Sequence, residues 1–380
     1  MVRKFPVKLD DKNYDIKKFL RDHPGGTNTL RNYKGKNILQ AMEKFGHSVN
    51  AYHMLNDFKV ESEKDGNLCG VSENGRIITK EEDSRDKEEI AYLEELEARL
   101  DWSKPLLSQL DAIAPDYEKW VNSAVYRHCR LFSSPLLEAL TFTPWYLVPA
   151  CWLPAILWLA TRQYREHVAH AWEKTSDRRT DRTISPVPLS YAYRFIPNIP
   201  KMIFLPKTCF FPDINDALSI FQFFWHLALG LFLWSIIEYS LHRWVFHLDP
   251  GKNLTMIKIH FLIHGLHHKM PFDGLRQVFP PVPALVLACI IYQPLSCFLS
   301  YPLIKLTGGL IGYLTYDMIH YYVHHGSPAD GTYLYAMKRY HSNHHFVNHD
   351  RAFGISSEIW DHVFKTFVKL RTLGFSLRWD

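Results

Sequence analysis

The sequence predicts a multidomain protein: a small soluble α+β module, then an all-α integral membrane domain with four transmembrane helices and a cytosolic, histidine-rich helical cap. Three observations carry this. Residues 6 to about 75 mix short apolar runs with glycine turns. Four long runs with no charge, or only one, follow residue 140. Thirteen of the 21 histidines fall between His242 and His349.

A chain of 380 residues has the length of about two and a half ordinary domains. Its net charge of +5 is too balanced for a nucleic-acid binder. Residues 1–100 carry 18 basic and 19 acidic side chains, so the mild basic excess lies in the greasier remainder. A hydrophobic content of 47% excludes a disordered chain. The six cysteines form no CxxC pair, which argues against a disulfide scaffold or a zinc ribbon. The first residues lack an apolar stretch, so no cleaved signal is expected there.

We assign residues 1–78 to the N-terminal module, 79–130 to an acidic linker and helical connection, and 131–380 to the membrane domain. From Glu81 to Glu97 nine of seventeen positions are acidic, while Ile90, Leu93, Leu96 and Leu100 keep helical spacing. This reads as a solvated linker helix. The apolar runs are Thr143–Ala160, Ala217–Ile237, Val278–Ile304 and Leu306–His325, the last interrupted only by Asp317. A bilayer takes roughly 20 apolar residues per helix. The expected spans are 143–160, 217–237, 283–301 and 306–325, the third starting late because of Pro280, Pro281 and Pro283. With four spans, both termini and the 241–280 loop share one side, and so do all the histidine clusters. The 161–216 connection holds nine Lys/Arg against five in 241–280, opposite to the positive-inside tendency. Part of that connection would then lie on the membrane surface, or the first run would be re-entrant.

In the N-terminal module, His23-Pro24-Gly25-Gly26 is followed 24 residues later by His47, within Phe45-Gly46-His47-Ser48. A haem offers two axial positions on opposite faces, so two histidines from separate elements suit it. Pro24 and the glycines make a tight turn that lets backbone approach the macrocycle. Ligation on both faces leaves no open site for oxygen and favours electron transfer. The pair, with Tyr14, Asp15, Phe19 and Leu20 before it, resembles the cytochrome b5 family over roughly residues 5–75. The resemblance implies haem b, with His23 and His47 as axial ligands.

Four further groups stand out: His242 and His247; His264, His267 and His268; His320 and His324; His341, His344 and His345. On a helix, residues three or four apart share a face. His242 and His247 are five apart, about 140° around an ideal helix. They meet one site only if the helix ends between them; otherwise they serve two metals from different sides. Ten imidazoles exceed one metal's needs, and two adjacent ions account for them. Imidazole suits Fe, Zn and Cu alike. A fused one-electron donor favours a redox metal, because zinc has no redox chemistry. His260, His325 and His349 read as outlying or structural. His53, His128, His167, His170, His226 and His362 stay unassigned. Metal-bound histidines often give their second N–H to a carboxylate. Asp317 is the first candidate, charged within an apolar run, ahead of Glu238, Asp350 and Asp361.

The HxxxxH, HxxHH and HxxHH boxes resemble the membrane fatty acid hydroxylase and sterol desaturase superfamily. The box from Asp317 to His324, the Val278–Pro283 segment and Phe142-Thr-Pro-Trp-Tyr146 narrow this to a fatty acid 2-hydroxylase pattern over nearly the whole chain. The resemblance implies O2-dependent hydroxylation at C2 of a long-chain fatty acyl substrate taken from the membrane, feeding 2-hydroxy sphingolipids. It implies His242, His247, His264, His267, His268, His320, His324, His341, His344 and His345 as ligands of two metal ions. Iron is expected in the functional form, although zinc would fit the same ligands in a purified one. Electrons would come from an NADPH-dependent reductase through the fused cytochrome, in the endoplasmic reticulum membrane, with both termini cytosolic. Rival readings are a b5-fused acyl desaturase, a sterol or sphingoid-base oxidase, and a non-enzymatic haem carrier with structural zinc. The first typically opens its last box with Gln where His341 stands, and the second usually lacks the fused cytochrome.

Overall fold

The structure, a computed structural model, describes residues 4–60, 80–180 and 220–370. Most of the basic 161–216 connection lies outside the described residues, as does the end of the N-terminal module beyond residue 60. The chain divides into two units. One comprises Met1–Leu147, Ser235–Phe279 and Thr315–Asp380; the other comprises Val148–Trp234 and Pro280–Leu314.

The first unit begins with an antiparallel hairpin of β1 (Pro6–Leu9) and β2 (Lys12–Asp15). Leu9 pairs with Lys12, leaving a two-residue turn with Asp10 at φ 51°. Aspartate tolerates that left-handed conformation better than most side chains. Alternation sends Val7 and Tyr14 inward, where Ile38, Met42, Met54 and Phe58 meet them. Three short helices follow: α1 (Thr27–Arg31), α2 (Leu39–Phe45) and α3 (Val49–Leu55). The expected α+β module is therefore present, with His23 just before α1 and His47 just after α2.

Beyond it come α4 (Lys80–Ala98), α5 (Tyr117–Val121), α6 (Pro135–Ala139), α7 (Leu147–Thr180) and α8 (Ile220–Ser240). They are followed by α9 (Leu254–His260), α10 (Leu266–Lys269), α11 (Pro281–Phe298), α12 (Pro302–His325), α13 (Tyr333–Phe346) and α14 (Ile359–Val363). The acidic α4 is not solvated all round. Its Leu93, Leu96 and Leu100 are buried against Leu106, Leu110, Ile113 and Trp120, and this core continues to Ile257, Phe261 and Leu266. A leucine stripe on a helix must find a partner, and here the partner is the 106–120 segment, whose core runs on to the helix that carries the histidines. The fully buried Lys269, at the end of α10, fixes the register. Its ammonium donates to Glu97, to Trp120 O at 2.9 Å and to Ser123 O at 2.6 Å.

The second unit is helical among the described residues. α8 and α12 approach so closely that a Cβ on Gly230 would stand 2.1 Å from Lys305 O, and one on Gly308 would stand 2.0 Å from Leu227 O. Small residues at such a crossing let backbones touch, as they do between membrane helices. Trp152 of α7 and Trp234 of α8 both pack edge-on against Tyr313 of α12, each with centroids 5.6 Å apart. Outward positions are apolar: Phe221 and Trp225 on α8, Leu157 and Trp158 on α7, Val282, Ile290 and Phe298 on α11 are all exposed. Water does not favour such a surface, whereas lipid does. Among the described residues, Phe221–Phe246 and Pro281–Phe298 are long and apolar enough to cross a bilayer. At 34 and 24 residues α7 and α12 have the length too, but both carry ionisable side chains, such as Arg162 and Lys305.

Candidate dimetal centre and haem site

His242 closes the gap that its spacing opened. Past Ser240 the helix widens into a π-helical turn, Leu241–Phe246, and His247 N–H donates to His242 O five residues back at 3.1 Å. The wider turn brings residues five apart onto one side. Both histidines therefore enter the same group instead of serving two sites. A second π-helical turn, Phe261–Gly265, carries His264.

The ten histidines gather as two sets of five. His242, His247, His264, His268 and His344 form one; His267, His320, His324, His341 and His345 form the other. Within each set one nitrogen per ring lies within 4.8 Å of all the others. The HxxHH boxes are split by the rule that residues four apart share a helix face. His264 pairs with His268, and His341 with His345. His267 and His344 cross to the opposite set, so each box serves both. The rings of His268 and His345 stack across the two sets with centroids 4.3 Å apart.

Hydrogen bonding shows what these rings await. His242 Nδ1 donates to Phe353 O at 2.5 Å and His344 Nδ1 to Arg351 O at 2.7 Å, so in the neutral rings each Nε2 carries a lone pair. The Nε2 atoms of His242, His264, His247 and His344 then form a chain of contacts at 3.2, 3.2 and 3.0 Å. A chain of three hydrogen bonds must alternate donor and acceptor, yet both its ends are acceptors. At least one contact is lone pair against lone pair, or proton against proton. In the other set His341 Nε2 faces His324 at 2.8 Å, His345 at 3.0 Å and His320 at 3.1 Å, with a single lone pair or proton to offer. A cation in each set removes the conflict, because the gathered nitrogens then share one charge instead of opposing one another. Burial, then the neighbouring imidazoles, holds His247, His264, His267, His268, His341 and His345 well below the usual histidine range. They are neutral, the state a metal requires.

The other expected residues fall outside the two sets. His260 Nδ1 meets the Tyr117 hydroxyl at 2.7 Å, His325 lies 3.8 Å from Asp22, and His349 lies 3.5 Å from Asn50. Asp317 is buried and accepts from Phe279 N–H at 3.3 Å. For His242 and His344 the orienting acceptors are backbone carbonyls, not carboxylates. Ala352 between them adopts φ 58°, a left-handed conformation in the loop that presents both carbonyls. The carboxylates act one step further out. Asp361 accepts from Phe353 N–H, Gly354 N–H and the Thr366 hydroxyl at 2.9, 2.8 and 2.7 Å, and Glu238 accepts from Ser356 N–H at 2.9 Å. Sequence reasoning missed the 351–354 loop and Gln277, whose amide lies 3.3 Å from His320 Nε2. Asp361→Asn keeps the side chain's shape while weakening its grip on the loop. We expect metal affinity to fall about 10–100-fold, the usual cost of disturbing an orienting partner, measured by chelator competition.

In the N-terminal module the His23 and His47 rings face one another with centroids 6.1 Å apart and planes 25° from parallel. That gap suits one iron between two imidazoles, given metal–nitrogen bonds of about 2 Å. His47 Nδ1 donates to Met42 O at 3.0 Å, which leaves the Nε2 lone pair for the metal. Burial, with the facing His47, pulls His23 down to about 3, so it too is neutral. A Cβ on Gly25 would stand 2.9 Å from His23 Cε1, so the ring needs glycine there.

Comparison with known proteins matches both regions of the chain. Residues 7–61 match the cytochrome b5-like heme/steroid binding domain, and residues 227–366 match the fatty acid hydroxylase domain. The fatty acid 2-hydroxylase of Macaca fascicularis is 36% identical over 363 residues, covering 93% of this chain and 89% of that protein. The chain belongs to the fatty acid 2-hydroxylase family. The dihydroceramide fatty acyl 2-hydroxylase FAH1 of Arabidopsis thaliana is 33% identical, covering 70% of this chain and 92% of its own length. A solved structure of full-length scs7p, with only its hydroxylase domain visible, superposes with a TM-score of 0.51 at 27% identity. It covers 71% of this chain and 86% of that one. Membership of the 2-hydroxylase family thus extends across both the haem module and the histidine-rich region.

Proposed function

We propose that this chain is an O2-dependent monooxygenase that hydroxylates C2 of long-chain acyl groups for 2-hydroxy sphingolipid synthesis, in the manner named for its relatives. The observation that carries the reading is the pair of five-histidine sets, buried except for the half-buried His247, neutral and unable to satisfy one another without cations. His242, His247, His264, His268 and His344 would hold one metal ion, and His267, His320, His324, His341 and His345 the other. Iron fits the reading because a haem module is fused to the same chain, and a one-electron donor needs a redox-active acceptor. When bound, the metal pair supplies oxygen activation strong enough to break an unactivated C–H bond. The chain's own residues orient the imidazoles of His242 and His344 through the Phe353 and Arg351 carbonyls and keep the rings deprotonated by burial. His23 and His47 would carry haem b as an electron carrier, reduced by an NADPH-dependent reductase. Asp317, buried beside the 278–279 segment, would fix the approach to His320 one turn along α12.

The exposed apolar faces of α7, α8 and α11 support a bilayer-embedded domain from which an acyl chain enters without crossing water. Four spans, formed by α7, α8, α11 and α12, with both termini and the histidine cap on the cytosolic side of the endoplasmic reticulum, keep haem and metals on one face. Asn253-Leu254-Thr255 tests this arrangement, since such a sequon is modified only in the secretory lumen. Asn253 caps α9 by accepting from Thr255 N–H at 2.9 Å. Glycosidase treatment is expected to leave the gel mobility unchanged; a glycan on Asn253 would place the cap in the lumen and overturn the topology.

The test of the activity is mass spectrometry of acyl chains from membranes expressing the protein. New oxygen at C2 supports the reading. A new double bond would assign the chain to the desaturases.

A further inference from the structure

Between the haem histidines and the metal histidines lies an aromatic seam that none of the foregoing chemistry uses. Phe19 of the N-terminal module packs edge-on against His23, with centroids 5.8 Å apart. Its other side meets Phe272, just past the HxxHH box, at 5.4 Å. Phe272 in turn packs edge-on against His324 at 6.2 Å. One unbroken line of π contacts therefore joins an axial haem residue to a residue of the second histidine set. Tyr126 flanks this line, 6.1 Å from Phe19 and 5.6 Å from Phe272. Tyr126 of the connection and Phe272 and Phe346 of the membrane domain all pack against the apolar core of the N-terminal module.

Polar contacts hold this seam in register. Asp57 accepts from Arg127 Nε at 2.6 Å and from Tyr126 N–H at 2.8 Å. Asp22, directly before His23, accepts from the Tyr126 hydroxyl at 3.1 Å. Asn50 donates to Asn122 O at 3.1 Å, and the Ser327 hydroxyl donates to Arg21 O at 3.2 Å. Four separate points thus surround the aromatic line, more than a chance encounter needs. Arg127 is only about one-third exposed and Asp57 is buried, so solvent does not compete freely for their pair.

We propose that Phe272 is the relay through which electrons pass from the haem held by His23 to the metal centre at His324, with the Asp22 and Asp57 contacts clamping the two together. This rests on the hydroxylase reading above and deepens it. Each transfer moves one electron: ferrous haem becomes ferric, and one ion of the centre is reduced by one unit. Two such electrons, originally from a flavin-type reductase, join two protons and the two electrons of the C–H bond. Together they convert one O2 into the product hydroxyl and one water. Direct through-ring coupling matters because electron tunnelling weakens steeply when packed atoms give way to a gap. Phe272 touches both the Phe19 ring and the His324 ring, so it bridges the two without a gap.

The test follows the haem itself, without substrate or oxygen. Detergent-purified holoprotein loaded with iron is given less than one equivalent of dithionite per haem, and the decay of the ferrous-haem band is followed by stopped flow. In the natural protein a fast, concentration-independent decay is expected. Phe272→Leu, which keeps the position filled, is expected to lose that fast phase with haem spectrum, haem potential and iron content unchanged. Phe272→Tyr, which restores a ring, should recover it. A Phe272→Leu protein that keeps the natural decay rate, or a Phe272→Tyr protein that fails to recover it, overturns the relay. If the iron-loaded natural protein shows no fast decay, or if zinc-loaded protein shows the same one, the metal centre is not the acceptor. The hydroxylase reading then fails before the relay is at issue.

Discussion

Replacing His344 with alanine is expected to abolish C2 hydroxylation, lowering the new oxygenated acyl species below detection. The reason lies in its two bonds. Its Nδ1 donates to Arg351 O, which fixes the tautomer and aims Nε2 inward, 3.0 Å from His247 Nε2. Removing the ring deletes one of five donors and frees the Arg351 carbonyl, so position and charge compensation go together. The loss should exceed the roughly 10–100-fold effect of disturbing an orienting partner, because a donor itself is gone. Elemental analysis of the purified variant is expected to show about one metal ion where the natural protein has about two, if each set holds one ion. The haem band is a built-in check on folding, since His23 and His47 lie in the N-terminal module, far along the chain from His344, and should still ligate. Product at the natural level from a correctly folded variant would remove His344 from the centre. Loss of product with both ions retained would make it an orienting residue rather than a ligand.

The grouping of the histidines was legible in the sequence because spacing on a helix is a local property. Imidazoles three or four positions apart announce a shared face wherever the helix lies. Spacing could not show how the rings would be dealt out. His264 and His268 serve one set while His267 serves the other, and that partition depends on α10 meeting α12 and α13. Nor could it show the π-helical turn at Leu241–Phe246, since the extra residue per turn is set by where His242 and His247 must point. The orienting carbonyls of Arg351 and Phe353 are invisible for a different reason: any residue has a carbonyl, and only the left-handed turn at Ala352 presents both. Asp317 drew attention as a charge in an apolar run, whereas the groups that hold the loop whose carbonyls orient His242 and His344 are Asp361 and Glu238. The leucine face of α4 shows the same limit. Acidic composition announces solvent, but a stripe of Leu93, Leu96 and Leu100 needs a partner, and only the fold supplies Trp120, Ile257 and Phe261.

The complementary result is expected from His47→Ala: no haem band, no turnover supported by the reductase, and an unchanged metal content at the ten-histidine centre. His47 donates through Nδ1 to Met42 O, and Gly46 before it sits at φ 68°, so the ring's aim is fixed within its own turn and owes nothing to the metal histidines. Truncating it leaves His23 facing an empty position, and a haem ligated on one face only would lose the low-spin band of a bis-histidine iron. The metal sets draw on elements from Leu241 onward, none of which depends on His47. Chemical reduction separates the two functions. Dithionite should restore a measurable fraction of product in the His47→Ala protein, because the centre can take electrons from a small reductant. No product on chemical reduction, with metals present, would mean that the haem takes part in the oxygen chemistry itself. Loss of both metals along with the haem would mean that the N-terminal module is needed to build the centre. The contacts of Asp57, Asp22 and Asn50 with the 122–127 segment and with Phe346 would then be structural supports of the metal site as well as its route for electrons.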